Sequence, residues 1–425
     1  MTVTSTHTNI APTTSHRAVI PFYAYAALCL LAATILVFFS SSELMGHHFQ
    51  PKVIALTHLM ALGWATMIIL GASHQLIPVL IETSLYSTKL AIATFILAAT
   101  GIPLLVYGFL VFDLAFFVTL GGTLINLSII CYVINLLLSF TRKPKTDIHA
   151  LFIFSASLWL LLTTLLGLLL AINFTQQILQ QDSLHFLTLH AHIGIAGWFL
   201  LLVTGVGSKL IPMFLISKYE NRKLLYAVYF LINVAILVFI VQFQFNNGEG
   251  YMLPAFLITS SIILFAFYCF RCYKERLRKR VDMPVKLSLG AVAAIAFPLM
   301  ILFLISGFFP DAREQPFITV YGITIFFGWL TAIIFGMTFK TLPFIIWTKL
   351  RAANPLSNQP NDPRTLYSER DFLYMMIAYM AGVATLAVSV CLSYKMLVNV
   401  SAALLIIAAL IYNKSVWLMI FRKQL

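Results

Sequence analysis

Histidine is the residue that gives this chain a chemical handle. His58, His190 and His192 lie inside long apolar stretches, His185 stands at the start of one, and His47 and His48 precede another. His58 is six residues beyond Lys52, which is about 9 Å along a helix rising about 1.5 Å per residue. His190 and His192 are two residues apart, or about 200° around a helix, so they point to nearly opposite sides and cannot chelate one ion. They serve two pockets. His185 and His192, seven apart, share a face. A lone imidazole in a membrane is ordinarily explained by a hydrogen bond to a neighbouring helix. Three imidazoles at one depth point instead to a ligand set, with His58, His190, His192 and His185 as the metal or cofactor candidates. Haem suits neutral imidazole in an apolar, aromatic-lined site, because its iron takes axial histidine and its macrocycle needs apolar walls. A b-type haem is therefore the expected cofactor, and copper is the second candidate.

Other residues are less informative. His74 is about 24 Å from His58 by helix rise, too far to share a metal. His7, His16 and His149 read as loop residues. Cys269-Phe-Arg-Cys272 has redox or metal spacing but stands alone beside a basic loop, and the five cysteines imply no disulfide framework. All fourteen acidic residues fall in loops or at span ends, which argues against a carboxylate-gated transporter.

The elements that carry the histidines follow from composition. Of 425 residues, 61% are hydrophobic and 10% charged, against roughly 45–50% and about 25% in soluble domains. An all-α integral membrane protein is the fold this dictates. Apolar runs of roughly 20 residues suffice to cross a bilayer, and twelve are expected, near 18–40, 52–80, 87–112, 114–140, 149–174, 184–215, 223–244, 251–270, 286–309, 316–347, 372–393 and 397–420. The first is too long for a removable signal peptide. Residues 1–16, rich in Thr and Ser, are expected to be a disordered cytoplasmic segment preceding one membrane domain over 17–425.

With both termini in the cytoplasm, only Lys52, Arg313 and Lys395 fall in outer loops and only Lys209, Lys340 and Lys414 within spans. All remaining Lys and Arg are then inside, as the positive-inside rule requires, and a bacterial inner membrane is the expected location. Lys209 and Lys340 are expected to snorkel to the cytoplasmic surface. The net charge of +13 lies in short clusters between spans, so it meets lipid headgroups, and nucleic acid is excluded as a partner.

A repeat links the histidine-bearing spans. His58 to Gly63-Trp64, then Gly71 and Pro78, is matched by His192 to Gly197-Trp198, then Gly205 and Pro212. Ile323 to Gly328-Trp329, then Gly336 and Pro343, is the third copy. In each, Gly follows Trp by seven residues and Pro follows seven later, so the three line one stripe. Three tandem four-helix units, about 17–148, 149–285 and 286–425, are expected around a pseudo-threefold axis. The stripe glycines are read as close-packing positions.

Twelve spans in three groups of four, with His58 on the second span and His190-Ala-His192 on a repeat-related one, resemble subunit I of the haem-copper oxidases. The stretch from Leu56-Thr-His58 through Gly71 to Pro78 looks like the second helix of the nitric-oxide-reductase-like and C-type members. The NnrS family, twelve-span haem proteins linked to nitric oxide, is an equal home. The resemblance implies that His58 ligates a low-spin haem and that His190 or His192 matches a copper ligand. The tenth span, however, has no histidine, the seventh lacks the paired histidines of a copper site, and acidic proton-pathway residues are missing. The expectation is a haem-binding redox protein without a full binuclear centre, an oxidoreductase if it is an enzyme. It would transfer electrons or handle nitric oxide or oxygen, alone, as a homo-oligomer or beside a partner subunit. A haem on His58 and His192 would lie between the first and second units. The rivals are a copper transport or delivery protein and a non-catalytic assembly subunit on the same scaffold.

Overall fold

The computed structural model describes residues 14–81, 84–142, 147–245, 251–307, 316–353 and 362–422. Among them are twelve helices long and apolar enough to cross a membrane. Each begins and ends within a few residues of the run that predicts it. In hydrocarbon a backbone must satisfy its own polar groups, and among the described residues it does so by helices, with only an isolated bridge between Ser217 and Arg276. The disorder expected over 1–16 falls largely outside the described residues. Thr14 is buried and its hydroxyl donates to the His74 carbonyl at 2.6 Å.

The second span (Pro51–Pro78), the sixth (Leu187–Leu215) and the tenth (Pro316–Arg351) form the inner layer. In their apolar windows 78, 67 and 61% of residues are buried, against at most 50% elsewhere. Lipid-facing apolar side chains on the other nine account for the difference. The fourth span packs on the fifth, the eighth on the ninth, and the twelfth on the first, so the outer helices close around the inner three.

The inner helices share an irregularity. Each carries a π-helical stretch, over Leu59–Thr66, Ile193–Leu200 and Thr324–Leu330. In every case it starts one residue past the position held by His58, His192 or Ile323. A π-turn loosens the carbonyl ladder, and such turns gather at functional sites. Tyr379 of the eleventh span (Glu369–Cys391) donates its hydroxyl to the tenth-span carbonyl of Gly328 at 2.6 Å and to that of Phe327. The repeat tryptophans bind the inner layer together. Trp64 Nε1 donates to Thr331 Oγ1 at 3.0 Å, and Trp198 Nε1 donates to Thr66 Oγ1 at 2.9 Å.

The stripe glycines are packing positions. A Cβ on Gly71 would lie 2.6 Å from Phe22 Cβ, and one on Gly336 would lie 2.6 Å from the Pro284 carbonyl. Gly205 meets Phe152 in the same way. Each thus lets its span close on the preceding helix.

Lys340 departs from expectation. It does not snorkel freely: its Nζ lies 2.6 Å from Asp282 Oδ2, with the two side chains only 10% and 9% exposed. Arg278 adds a second cation 3.7 Å from the same oxygen. Asp282 precedes the ninth span (Met283–Ile305), whose packing on the tenth brings the carboxylate within reach. Lys209 is exposed.

Candidate functional site

Three half-buried imidazoles stand near one end of the inner helices, and their hydrogen bonds define their states. His58 Nδ1 lies 2.9 Å from the Ile54 carbonyl, and His192 Nδ1 lies 2.9 Å from the Thr188 carbonyl. A carbonyl only accepts, so in both rings Nδ1 carries the proton and Nε2 presents a lone pair. That is the tautomer of a metal-binding imidazole whose other nitrogen is oriented by a backbone acceptor. The two residues occupy matching repeat positions and form the same bond to their own helix.

Their surroundings differ. The His58 ring lies beside Phe109 of the third span (Thr88–Leu110), centroids 4.6 Å apart, and near His190 of the sixth, centroids 6.3 Å apart with planes inclined by 22°. His190 Nδ1 is buried with no hydrogen-bond partner among the described residues. His192 instead faces the tenth and seventh spans. Tyr321 stands with its hydroxyl 3.4 Å from His192 Nε2, on the donor side of that long contact. The Tyr321 and Phe239 ring centres are 5.9 and 5.5 Å from that of His192.

The spacing of His190 and His192 thus does put them on opposite sides, but the assignment of partners changes. The imidazole that meets His58 across the first two units is His190. The ring that faces His58 is thus His190 and not His192, which the rotation of the sixth span turns towards Tyr321. His185 is exposed and packs against Phe243 of the seventh span (Arg222–Phe245), the same helix whose Phe239 meets His192. His47 and His48 stack on each other, centroids 4.3 Å apart.

Among the described residues no three His, Cys, Asp or Glu side chains converge as a metal site. Cys269 and Cys272 are buried free thiols. His149 Nδ1 meets Ser208 Oγ at 3.0 Å, within the fifth span (Ile148–Gln176) and not in a loop. His74 is fully buried between Phe22 and Tyr132, and neither ring nitrogen has a hydrogen-bond partner among the described residues.

Tyr321 is the participant that the histidine pattern does not reveal. It was nonetheless encoded: with Trp329 set on Trp198, Tyr321 falls where His190 stands, and Leu56 takes that position in the second span. Each inner-helix junction described here therefore brings a His58-type position against a His190-type position of the next helix.

No protein-family model matches the chain, and no curated protein matches it in sequence.

Proposed function

We propose that the protein is a haem-binding membrane redox protein in which His58 and His190 would hold the haem iron. One observation carries the reading: two imidazoles from different inner helices stand 6.3 Å apart with near-parallel planes, and His190 Nδ1 is buried with no hydrogen-bond partner among the described residues. A separation of this size leaves room for one metal ion between the two rings at metal–nitrogen bonds of about 2 Å. A buried nitrogen left unpaired costs roughly 1–3 kcal/mol, and a metal bond offsets that cost. A cofactor that brings most of its own donor atoms fits two protein ligands better than a protein-only copper site does, since copper sites draw on a larger set of side chains. When bound, the haem supplies one-electron chemistry. The chain's own residues hold the ring nitrogens, and Phe109 supplies an apolar wall.

A haem held by both His58 and His190 would supply one-electron transfer, which makes electron transfer the favoured role over the handling of nitric oxide or oxygen. This reading keeps the resemblance to haem-copper oxidase subunit I and the NnrS family as a proposal. It also takes the three tandem units to surround a pseudo-threefold axis, supported by the matched π-turns and the Trp–Thr bonds. The histidine-bearing end faces the periplasm, with both termini cytoplasmic, because the opposite loops hold most of the Lys and Arg.

The test is the absorption spectrum and pyridine haemochromogen assay of the purified full-length protein beside His58→Ala, His190→Ala and His192→Ala. The expected result is a low-spin Soret band in the wild type and in His192→Ala, lost or converted to high spin in the other two. Wild-type protein without haem, or equal loss in all three variants, overturns it.

A further inference from the structure

We infer that Gly167 is a positioning residue, placing the imidazole of His190 opposite His58; the inference deepens the His58–His190 reading and rests on it for its functional meaning. Gly167 lies about two-thirds of the way along the fifth span (Ile148–Gln176), which is neither of the two inner helices that carry His58 and His190. A Cβ at this position would sit 2.8 Å from His190 Cε1 and about as close as contact allows to both ring nitrogens, at 3.4 Å from Nδ1 and 3.5 Å from Nε2. The ring of His190 therefore occupies the volume that any other residue at 167 would fill.

Helix geometry gives no other reason for this glycine. The fifth span runs unbroken from Ile148 to Gln176, so position 167 needs no left-handed backbone, and a glycine within a helix is less favourable than alanine. The internal comparison points the same way. Phe22 in the first span and Phe152 in the fifth make matching contacts with Gly71 and Gly205, and this alignment sets Gly167 against Val37. The glycine stands in the unit whose inner helix carries His190; the unit with Val37 has Leu56 at the corresponding inner-helix position. Removal of a side chain thus accompanies the gain of an imidazole.

The consequence is that Gly167 limits how far His190 can approach the fifth span, and so how far it stands from His58. Alanine at 167 either strains the ring in place or drives it out of the cleft, towards or past His58. Both outcomes require His190. In its absence alanine fills an emptied cleft and gains helix propensity.

A melting cycle on the full-length protein in detergent decides the matter. Gly167→Ala is measured in the wild type and in a His190→Ala background, with Gly167→Val as the larger perturbation. Alanine is expected to lower the melting temperature in the wild type and to leave it unchanged or raise it when His190 is absent, with valine exaggerating the first shift. In haem-loaded protein Gly167→Ala is expected to move the low-spin signature towards that of His190→Ala, with added imidazole restoring it. The same melting shift in both backgrounds overturns the inference, as does a low-spin spectrum identical to that of the wild type. If the wild type carries no haem, the cofactor reading falls while the melting cycle still decides what Gly167 does.

Discussion

Replacing Lys340 by Met isolates what the buried ion pair contributes. The methionine keeps the length of the stem and removes the charge. Asp282 is then left with its side chain 9% exposed, one carboxylate oxygen unpartnered, and Arg278 at 3.7 Å as its remaining cation. Breaking a well-buried pair by removing one partner costs about 3–5 kcal/mol. Arg278 offsets part of that, so about 2–3 kcal/mol is expected here. Changing Asp282 to Asn as well removes the stranded charge, and the double variant should recover about half of the loss, a coupling of the size found for directly contacting residues. The assay is thermal unfolding in detergent followed by tryptophan fluorescence, with Lys340→Met lowering the midpoint by roughly 2–6 °C. If the two single losses simply add in the double variant, or if Lys340→Met melts with the wild type, the pair does not stabilise the inner layer and the argument fails.

Two further outcomes follow from the same geometry. Thr331→Val leaves the fully buried Trp64 indole N–H without its acceptor and should cost about 1–2 kcal/mol; in a Trp64→Phe background the same change should be close to neutral, and unfolding of the four proteins checks it. Glu43 is partly buried, which raises its pKa, but the hydrogen bond and charge of Lys52 at 2.6 Å outweigh this and hold it below the ordinary value. A depressed carboxylate contributes stability above its unfolded pKa of about 4.3 and loses it as pH falls through the folded value. Glu43→Gln should therefore flatten the acid limb of the stability–pH curve and leave the neutral limb's slope unchanged.

The spans were legible because a run of apolar residues long enough to cross lipid has one stable backbone solution. Packing glycines were legible because Gly71, Gly205 and Gly336 keep a fixed distance from a tryptophan. The opposed directions of His190 and His192 follow from helix angle alone. Which of them meets His58 does not, since that depends on how the sixth span is rotated against the second, and the packing of neighbouring helices sets that rotation. Tyr321 was hidden because a phenol among many aromatics carries no signal until the tenth span is aligned on the sixth. Lys340 was misread for a similar reason: its partner is 58 residues away, in a short connection whose approach only the ninth span determines. A rule about single side chains and interfaces cannot anticipate such a partner.

The widened turns of the inner helices also bear on how the histidine-bearing ends can move. A π-turn is what remains when a helix accommodates one additional residue without breaking. In the three inner helices that loosened turn begins at the same distance from the tryptophan, so the backbone carbonyls freed there stand at one level beside His58, His192 and Ile323. A helix loosened at that level can shift its first turns, and the imidazoles they carry, without disturbing the tryptophan-anchored half below.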